Sequence, residues 1–343
     1  MTKLTLDEIA ALSGVSRSTV SRVINHHARV SAEVRERVLE VIARTGYYPN
    51  PAARSLAGRR SYTLGLIIPE TTHVLFTDPY FARLIQGVAE ACNENDYTLS
   101  LVLFRLTDDE VKLPGILRTR MLDGIIVTAT SMNDRIVPRL LKHERTCVVV
   151  GRPEDPHVNC IDVDNQHGAF VATKHLIRLG RQRIAMIAGP MNSAPASLRK
   201  QGYLQALKDH GRPIDPNLVA AGDFTETGGY HAMQHLLPHQ PDAVFVASDT
   251  MALGALRAAR AAYRSVPRDI AVVGFDDLPP AALAEPPLTT VHQPVKQVGI
   301  QAVETLVDIL ENGPEPVRRL TLPTDLIVRE SCGAANLPTR ESS

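Results

Sequence analysis

Residues 5–25 read TLDEIAALSGVSRSTVSRVIN, and this stretch decides the fold of the front of the chain. Thr5-Leu6-Asp7-Glu8 has the form of a capping box, in which the Thr5 hydroxyl accepts from the Glu8 amide and the Glu8 carboxylate reaches back to the Thr5 amide. Leu6, Ile9, Ala10 and Leu12 then give an apolar face, and Ser13-Gly14 ends the helix, glycine tolerating the positive φ of the turn. A second helix starts at Ser16 and runs through Asn25, with Val20, Val23 and Ile24 facing inward. Two short helices joined by Gly14-Val15-Ser16 predict a helix-turn-helix. The second helix displays Arg17, Ser18, Ser21, Arg22 and Asn25 outward. In a major groove, arginine there pairs bidentately with guanine and serine meets several bases.

Further along, Ser31 is placed to cap a third helix whose Val34, Val38, Leu39, Val41 and Ile42 share a face, with Gly46 past its end. Thr5, Ser16, Thr19, Asn25 and Ser31 sit near helix starts, where hydroxyls and amides suit phosphate oxygens. Leu6, Tyr47 and Asn50 complete the candidate DNA contacts of this region. Residues 49–60 read PNPAARSLAGRR; Asn50 is a good cap, Pro51 fits a first turn, and Gly58 ends a short helix over residues 50–57. Eight residues are too few to hold a helix alone in water, so this segment is either a conditional helix or a flexible linker. Charge supports a polyanion partner at this end only. Residues 1–61 hold ten Lys and Arg against five acids, while the whole chain balances 37 against 37. The remainder therefore carries five acids in excess, which discourages indiscriminate binding to DNA.

Behind the basic head, residues 62–330 alternate strands and helices. TLGLIIP (63–69), TLSLVLF (98–104), GIIVTAT (124–130) and TCVVVG (146–151) form one set of β-rich runs. RIAMIAG (183–189), DAVFVAS (242–248) and DIAVVGF (269–275) form a second. Continuous apolar strands between amphipathic helices predict two α/β lobes with parallel sheets, whose ligand sits at the strand carboxyl ends. No phosphate-binding glycine loop follows the first strand, so a nucleotide cofactor has no support, and no cofactor is expected. Cys92, Cys147, Cys160 and Cys332 are scattered, which speaks against a zinc site or disulfide framework and fits a reducing compartment. No apolar run approaches ~18 residues and the N-terminus has no signal-peptide core, so a soluble cytoplasmic protein without membrane contact is expected.

From TLDEIAALSG to PNPAARSLAG the head resembles the lactose repressor/galactose repressor family, and the likeness runs through essentially the whole chain. Its landmarks include DPYF (78–81), LDGIIV (122–127), IDVDN (161–165), ASDTMALGAL (247–256), VVGFDD (272–277) and PPLTTVHQP (286–294). The resemblance implies a homodimer on a near-palindromic, double-stranded operator. It also implies a hinge helix that forms when two chains meet there, with Leu56 wedged into the minor groove beside Ala53 and Arg54. It implies further a two-lobed body like a type I periplasmic binding protein, crossed near 160–165, 288–294 and 322. The expected organisation is a helix-turn-helix domain over 1–49, a hinge and linker over 50–61, an effector-binding and dimerisation domain over 62–331, and a tail over 332–343. The first lobe takes 62–162 and 292–322, the second 163–291 and 323–331.

The family's effector positions fall on Asp78, Tyr80, Phe81, His167, Arg199, Phe224, Ser248, Asp249, Asp276 and Gln293. An Arg/Asp pair grips a vicinal diol through charge-assisted bonds, and an aromatic ring packs on its apolar face, so Arg199, Asp276 and Phe224 point to a carbohydrate effector. A nucleobase is the alternative, since the family includes purine-responsive members. The stretch ETTHVLFT (70–77) lengthens the loop before DPYF and can reshape the pocket. A transport receptor is disfavoured by the DNA-binding head, and an enzyme by the lack of a nucleophile elbow or metal spacing. A ligand-switched repressor is the reading that remains. Arg22→Ala is expected to weaken operator binding by about 1–3 kcal/mol and to relax base preference. Fluorescence anisotropy with cognate and random DNA checks this; equal weakening on both marks Arg22 as a phosphate contact.

Overall fold

The computed structural model describes residues 4–24, 30–47, 60–103, 115–118, 121–128, 132 and 135–334, and the chain divides into two units, 1–61 and 62–343. The first unit contains α1 (Leu6–Ser13), α2 (Arg17–Ile24) and α3 (Ala32–Thr45). The capping box of α1 is present: the Thr5 amide donates to Glu8 Oε2 at 2.6 Å and the Glu8 amide to Thr5 Oγ1 at 3.3 Å. Gly14 takes φ 63° and Gly46 φ 61°, the left-handed conformation that lets each helix end in a sharp turn. Ile9, Ala10, Val20, Val23, Val38 and Val41 form the small core.

Three expectations for this unit need correction. Ser31 occupies the N-cap of α3 but its hydroxyl makes no capping hydrogen bond. Leu12 is 50% exposed and Leu39 47% exposed, so neither belongs to the core. In α1 the buried face runs through Ile9, Ala10 and Ser13, which turns Leu12 outward; in α3 Val38 and Val41 hold the inward face and Leu39 rotates off it. Asn25, Asn50, Ala53, Arg54 and Leu56 lie outside the described residues, as does the expected hinge helix.

The second unit opens with β1 (Thr63–Ile67), α4 (Thr72–Thr77), α5 (Pro79–Glu94), β2 (Thr98–Val102), α6 (Gly115–Arg118), β3 (Gly124–Thr128), α7 (Ile136–Lys142), β4 (Cys147–Val150) and β5 (Cys160–Val163). It continues with α8 (Asn165–Arg178), β6 (Ile184–Ala188), α9 (Ala194–Asp209), β7 (Val219–Ala221), α10 (Glu226–Leu236), β8 (Ala243–Val246) and α11 (Asp249–Ala261). Then follow β9 (Ala271–Asp276), α12 (Pro279–Leu283), β10 (Thr289–His292), α13 (Val295–Asn312), β11 (Arg319–Leu322) and β12 (Asp325–Ile327). Two six-stranded sheets result, in the orders β11-β5-β4-β3-β1-β2 and β12-β10-β9-β8-β6-β7. Every pair is parallel except β10 with β12. Strands such as β3, β6 and β8 are buried at every position, as sheets covered on both faces require.

The chain changes sheet three times: between β5 and α8, between β10 and α13, and between β11 and β12. Val163 closes a strand of the first sheet and His292 a strand of the second, one residue beyond the expected lobe limits. The β5, β7, β10, β11 and β12 strands, of three or four residues, fall outside the β-rich runs expected from the sequence. The second lobe also extends past residue 331. Cys332 is fully buried in its core and Ala334 packs against it, so the expected tail begins too early.

Returning into the first lobe, α13 lies against α5 at backbone distance. A Cβ added to Gly87 would stand 2.0 Å from the Lys296 carbonyl oxygen, and one on Gly299 2.6 Å from that of Leu84. The contact is between main chains, so no rotamer change can relieve a larger residue there. Gly87→Ala is expected to destabilise the second unit by about 2–3 kcal/mol or more. Urea unfolding measures it, and unchanged stability means that the helices do not approach this closely.

Candidate effector site and DNA-facing surface

In the first unit, Ser16, Arg17, Ser18 and Arg22 are exposed along the start and outer face of α2, while Thr19 and Ser21 are half-buried. The Ser16 hydroxyl lies 2.8 Å from that of Ser18 and 2.9 Å from that of Thr19, and accepts from the Thr19 amide at 3.2 Å. This seals the first turn of α2 and leaves its N-terminal end polar and basic. Arg17 reaches Asp7 at 3.6 Å, but both side chains are solvated and the pair adds little. Thr5 and Ser31 are exposed at their helix starts, whereas Leu6 and Tyr47 lean on the head's core.

In the second unit the centre of the site is Arg199, buried on α9. Its Nε donates to Asn165 Oδ1 at 2.9 Å, and its Nη1 donates to the Ala247 carbonyl at 2.5 Å and to Asp276 Oδ1 at 3.3 Å. The guanidinium carbon stands 3.7 Å from the centroid of the Phe275 ring, which forms a flat floor for it. Asp276 ends β9 with a positive φ of 121°, and Asp277 follows at 56°. This conformation is unusual for residues other than glycine and turns the two carboxylates away from an ordinary strand path. Gln293, buried at the start of a crossing segment, donates from Nε2 to Asp276 Oδ1 at 2.5 Å.

From the first lobe, Asp78 caps α5 by accepting from the Tyr80 amide at 3.0 Å, and Thr250 of α11 donates to it from the other lobe at 3.5 Å. A second bond joins the lobes, the Met132 amide donating to the Asn192 carbonyl at 2.7 Å. Tyr80 and Phe81 pack edge to face at 5.4 Å, with Phe81 buried and Tyr80 half-buried. The lengthened loop becomes α4, capped by Thr71 and anchored through buried Leu75; Glu70 precedes it and Asp78 follows it. Phe224 also has a positive φ, 64°, and a Cβ on Gly189 would meet its ring at 2.4 Å, so a glycine is needed beneath it. Ser248 caps α11, accepting from the Met251 amide at 3.3 Å. Asp249 lies behind Asp276, accepting from the Leu278 amide at 2.9 Å and the Thr290 hydroxyl at 2.5 Å.

His167 stands apart. It is exposed on α8, stacked 6.5 Å from Phe170, and lines an outer groove of about 310 Å³ with Asp164, Gln166, Gly202 and Gln205. The sequence reading also missed four members of the site: Asn165, Asp162, Phe275 and Thr250. Asn165 and Asp162 lie within IDVDN, where the alternation of acid and amide after an apolar strand was the available signal. Asp162 is buried, accepts from Asn165 Nδ2 at 3.2 Å and pairs with Arg152 Nε at 3.2 Å. Beyond the site, Asp277 ties three segments together. It receives Arg329 Nη2 at 2.7 Å and approaches His292 Nδ1 at 3.0 Å, where β10 hands over to the crossing segment.

These carboxylates outnumber the cation. Burial raises the proton affinity of Asp78, Asp162 and Asp249, and that of Glu70, which Asp78 raises further. Burial likewise pushes Asp276 up to about 7, against the opposing pull of Arg199, while it weakens the hold of Arg199 on its proton.

Residues 5–50 match the model of bacterial regulatory proteins of the lacI family, and residues 173–332 that of a periplasmic binding protein-like domain. The HTH-type transcriptional regulator CelR of Thermobifida fusca is 43% identical over 333 residues, 95% of this chain and 98% of that protein. The chain belongs to the LacI family of transcriptional regulators. Within this family, the ribose operon repressor of Escherichia coli K12 is 36% identical over 334 residues, 95% of this chain and 99% of that protein. The PurR repressor of Haemophilus influenzae is 32% identical over 335 residues, again 95% of this chain and 98% of that protein. A CelR–cellobiose complex superposes with a TM-score of 0.76 at 40% identity, covering 96% of this chain and 99% of that one. The Lac repressor dimer bound to operator and an anti-inducer gives 0.83 at 27% identity, with the same coverage. Like its relatives this LacI-family member is a DNA-binding transcriptional regulator, with its head carried by α1–α3. Among the described residues, no helix is long and apolar enough to cross a membrane.

The raised proton affinity of Asp276 has a consequence for stability. The folded state binds it more tightly than an unfolded chain, whose aspartates titrate near 4. Its stabilisation is complete below about pH 4 and is lost as pH rises towards the folded value of about 7. Wild-type unfolding free energy is expected to fall more steeply over this window than that of Asp276→Asn, by up to about 1.4 kcal/mol per pH unit. Parallel slopes in scanning calorimetry show that Asp276 is not held in this state.

Proposed function

We propose that this regulator represses transcription as a homodimer on a near-palindromic operator, and that a neutral carbohydrate in the cleft shifts that binding. The observation that carries the effector class is the buried Arg199–Asp276 contact, 3.3 Å across, set among further carboxylates and the carboxamides of Asn165 and Gln293. Such a site offers more acceptors than cations, Arg199 facing Asp276 and Arg152 facing Asp162. It suits hydroxyl donors better than phosphates, because both guanidinium groups already have carboxylate partners. Arg199 donates to ring or hydroxyl oxygens, Asp276 and Asp78 accept from hydroxyls, Gln293 and Ser248 supply further polar contacts, and Phe224 packs on the apolar sugar face. Tyr80 and Phe81 close the first-lobe wall. CelR, whose complex holds cellobiose, and the ribose repressor support this class of effector.

Contacts by Arg17, Ser18, Ser21 and Arg22 with bases, and by Thr5, Ser16, Thr19 and Ser31 with phosphates, carry the DNA half of the function. The same reading makes the body from residue 62 the effector-binding and dimerisation domain, and residues 50–61 the hinge. It also makes the protein a cytoplasmic binder of DNA and sugar, not an enzyme, a reading supported by relatives that are themselves regulators. Effector binding acts through its differential affinity for the two lobe arrangements. Isothermal titration with cellobiose, ribose, glucose 6-phosphate and guanine tests the class. Heat with a neutral sugar, lost at least tenfold in affinity in Arg199→Ala, is expected; binding of guanine alone replaces the sugar by a purine.

A further inference from the structure

We infer that Asp249 is a positioning residue: it does not touch effector but holds the Asp276–Asp277 turn in the left-handed backbone that aims Asp276 into the cleft. This rests on the reading of Asp276 as an effector contact. Three features of the geometry carry it. Asp249 has only 1% of its surface exposed, so nothing in the cleft reaches it without displacing its neighbours. Both of its oxygens are already occupied, Oδ2 by the Leu278 amide at 2.9 Å and Oδ1 by the Thr290 hydroxyl at 2.5 Å. Leu278 is the residue immediately after the turn, so this bond fixes where the chain emerges from two consecutive positive-φ residues. A turn of that kind persists only when its surroundings over-determine it.

The sequence makes room for this tether. A Cβ on Gly274 would stand 2.4 Å from Asp249 Oδ1 and 3.3 Å from Thr290 Oγ1, so the absence of a side chain two residues before Asp276 admits the carboxylate between β9 and β10. From the opposite side Asp277 is held by Arg329 and His292. The two residues that follow Asp276 are thus both held: Asp249 fixes Leu278, and Asp277 is anchored to His292 at the end of β10 and to Arg329 beyond β12. A carboxamide at 249 keeps an acceptor for the Leu278 amide and can donate to Thr290. An alanine keeps neither and leaves a buried amide unsatisfied.

Crystal structures of the ligand-free variants and titration calorimetry with cellobiose test the inference together. In Asp249→Ala the backbone of Asp276 is expected to leave the positive-φ region and cellobiose affinity to fall about tenfold or more; Asp249→Asn is expected to stay within about threefold of wild type with the turn intact. Thr290→Val, which removes one of the two tethers and leaves the carboxylate in place, is expected to lose about threefold, and it keeps the test informative if the alanine variant does not fold. Three results overturn the inference: an unchanged turn and affinity in Asp249→Ala, an Asn variant as impaired as the Ala variant, or an unaffected Thr290→Val. If wild type gives no heat with cellobiose, the sugar reading of the cleft is in question, and the crystal structures still decide the role of Asp249.

Discussion

One buried guanidinium organises the body of this protein. Removing a cation from water costs several kcal/mol even after relaxation, and Arg199 is 5% exposed. Its surroundings answer that requirement with four residues on three elements: Asn165 at the start of α8, the Ala247 carbonyl after β8, and, on β9, Asp276 at its end and the ring of Phe275 beneath. Each of these positions lies at a strand's carboxyl end or a helix start. The parallel topology gathers them at one place, where the buried guanidinium finds acceptors on each side.

The same arrangement ties the proposed effector contacts to the segments that join the lobes. Gln293 donates to Asp276 and immediately precedes Pro294 and α13, which returns the chain to the first lobe. Asp277, next to Asp276, meets His292 from the same crossing and Arg329 from beyond β12. Asn165, which holds Arg199, begins α8 directly after the crossing from β5. A ligand that moves Asp276 or Arg199 therefore pulls on main chain at two of the three crossings. The Thr250–Asp78 and Met132–Asn192 contacts add bridges across the cleft that depend on how far the lobes stand apart.

Much of this was legible in the sequence, and the reasons are local. Thr5, Glu8 and Gly14 specify a capped helix and its stop through short-range hydrogen bonds and backbone preference, so the head followed from the letters. The long apolar strands announced two parallel sheets for the same reason. Side-chain burial was less legible: Leu12 and Leu39 are apolar but exposed, since a core of six residues has no room for them. Within the candidate site, family resemblance points to Arg199, Phe224, Asp276 and Gln293, of which Arg199, Asp276 and Gln293 are joined by hydrogen bonds. His167 was named with them but faces an outer groove, because the helical rotation that turns Asn165 inward carries residue 167 to the other side. Asn165, Phe275 and Asp162 were not singled out at all. Phe275 reads as a strand interior residue, and only the path of α9 over β9 makes its ring a floor for an arginine.

Occupancy of the proposed Arg199–Asp276 site by a neutral sugar is expected to change the grip of the head on DNA. The most direct measurement is operator affinity, by anisotropy on a site selected from random DNA, with and without saturating cellobiose at fixed salt. A change of at least about fivefold is expected in wild type, the lower end of ordinary allosteric coupling, and none in a variant lacking the Arg199 guanidinium. Equal operator affinity with and without bound sugar in the wild-type protein would contradict it.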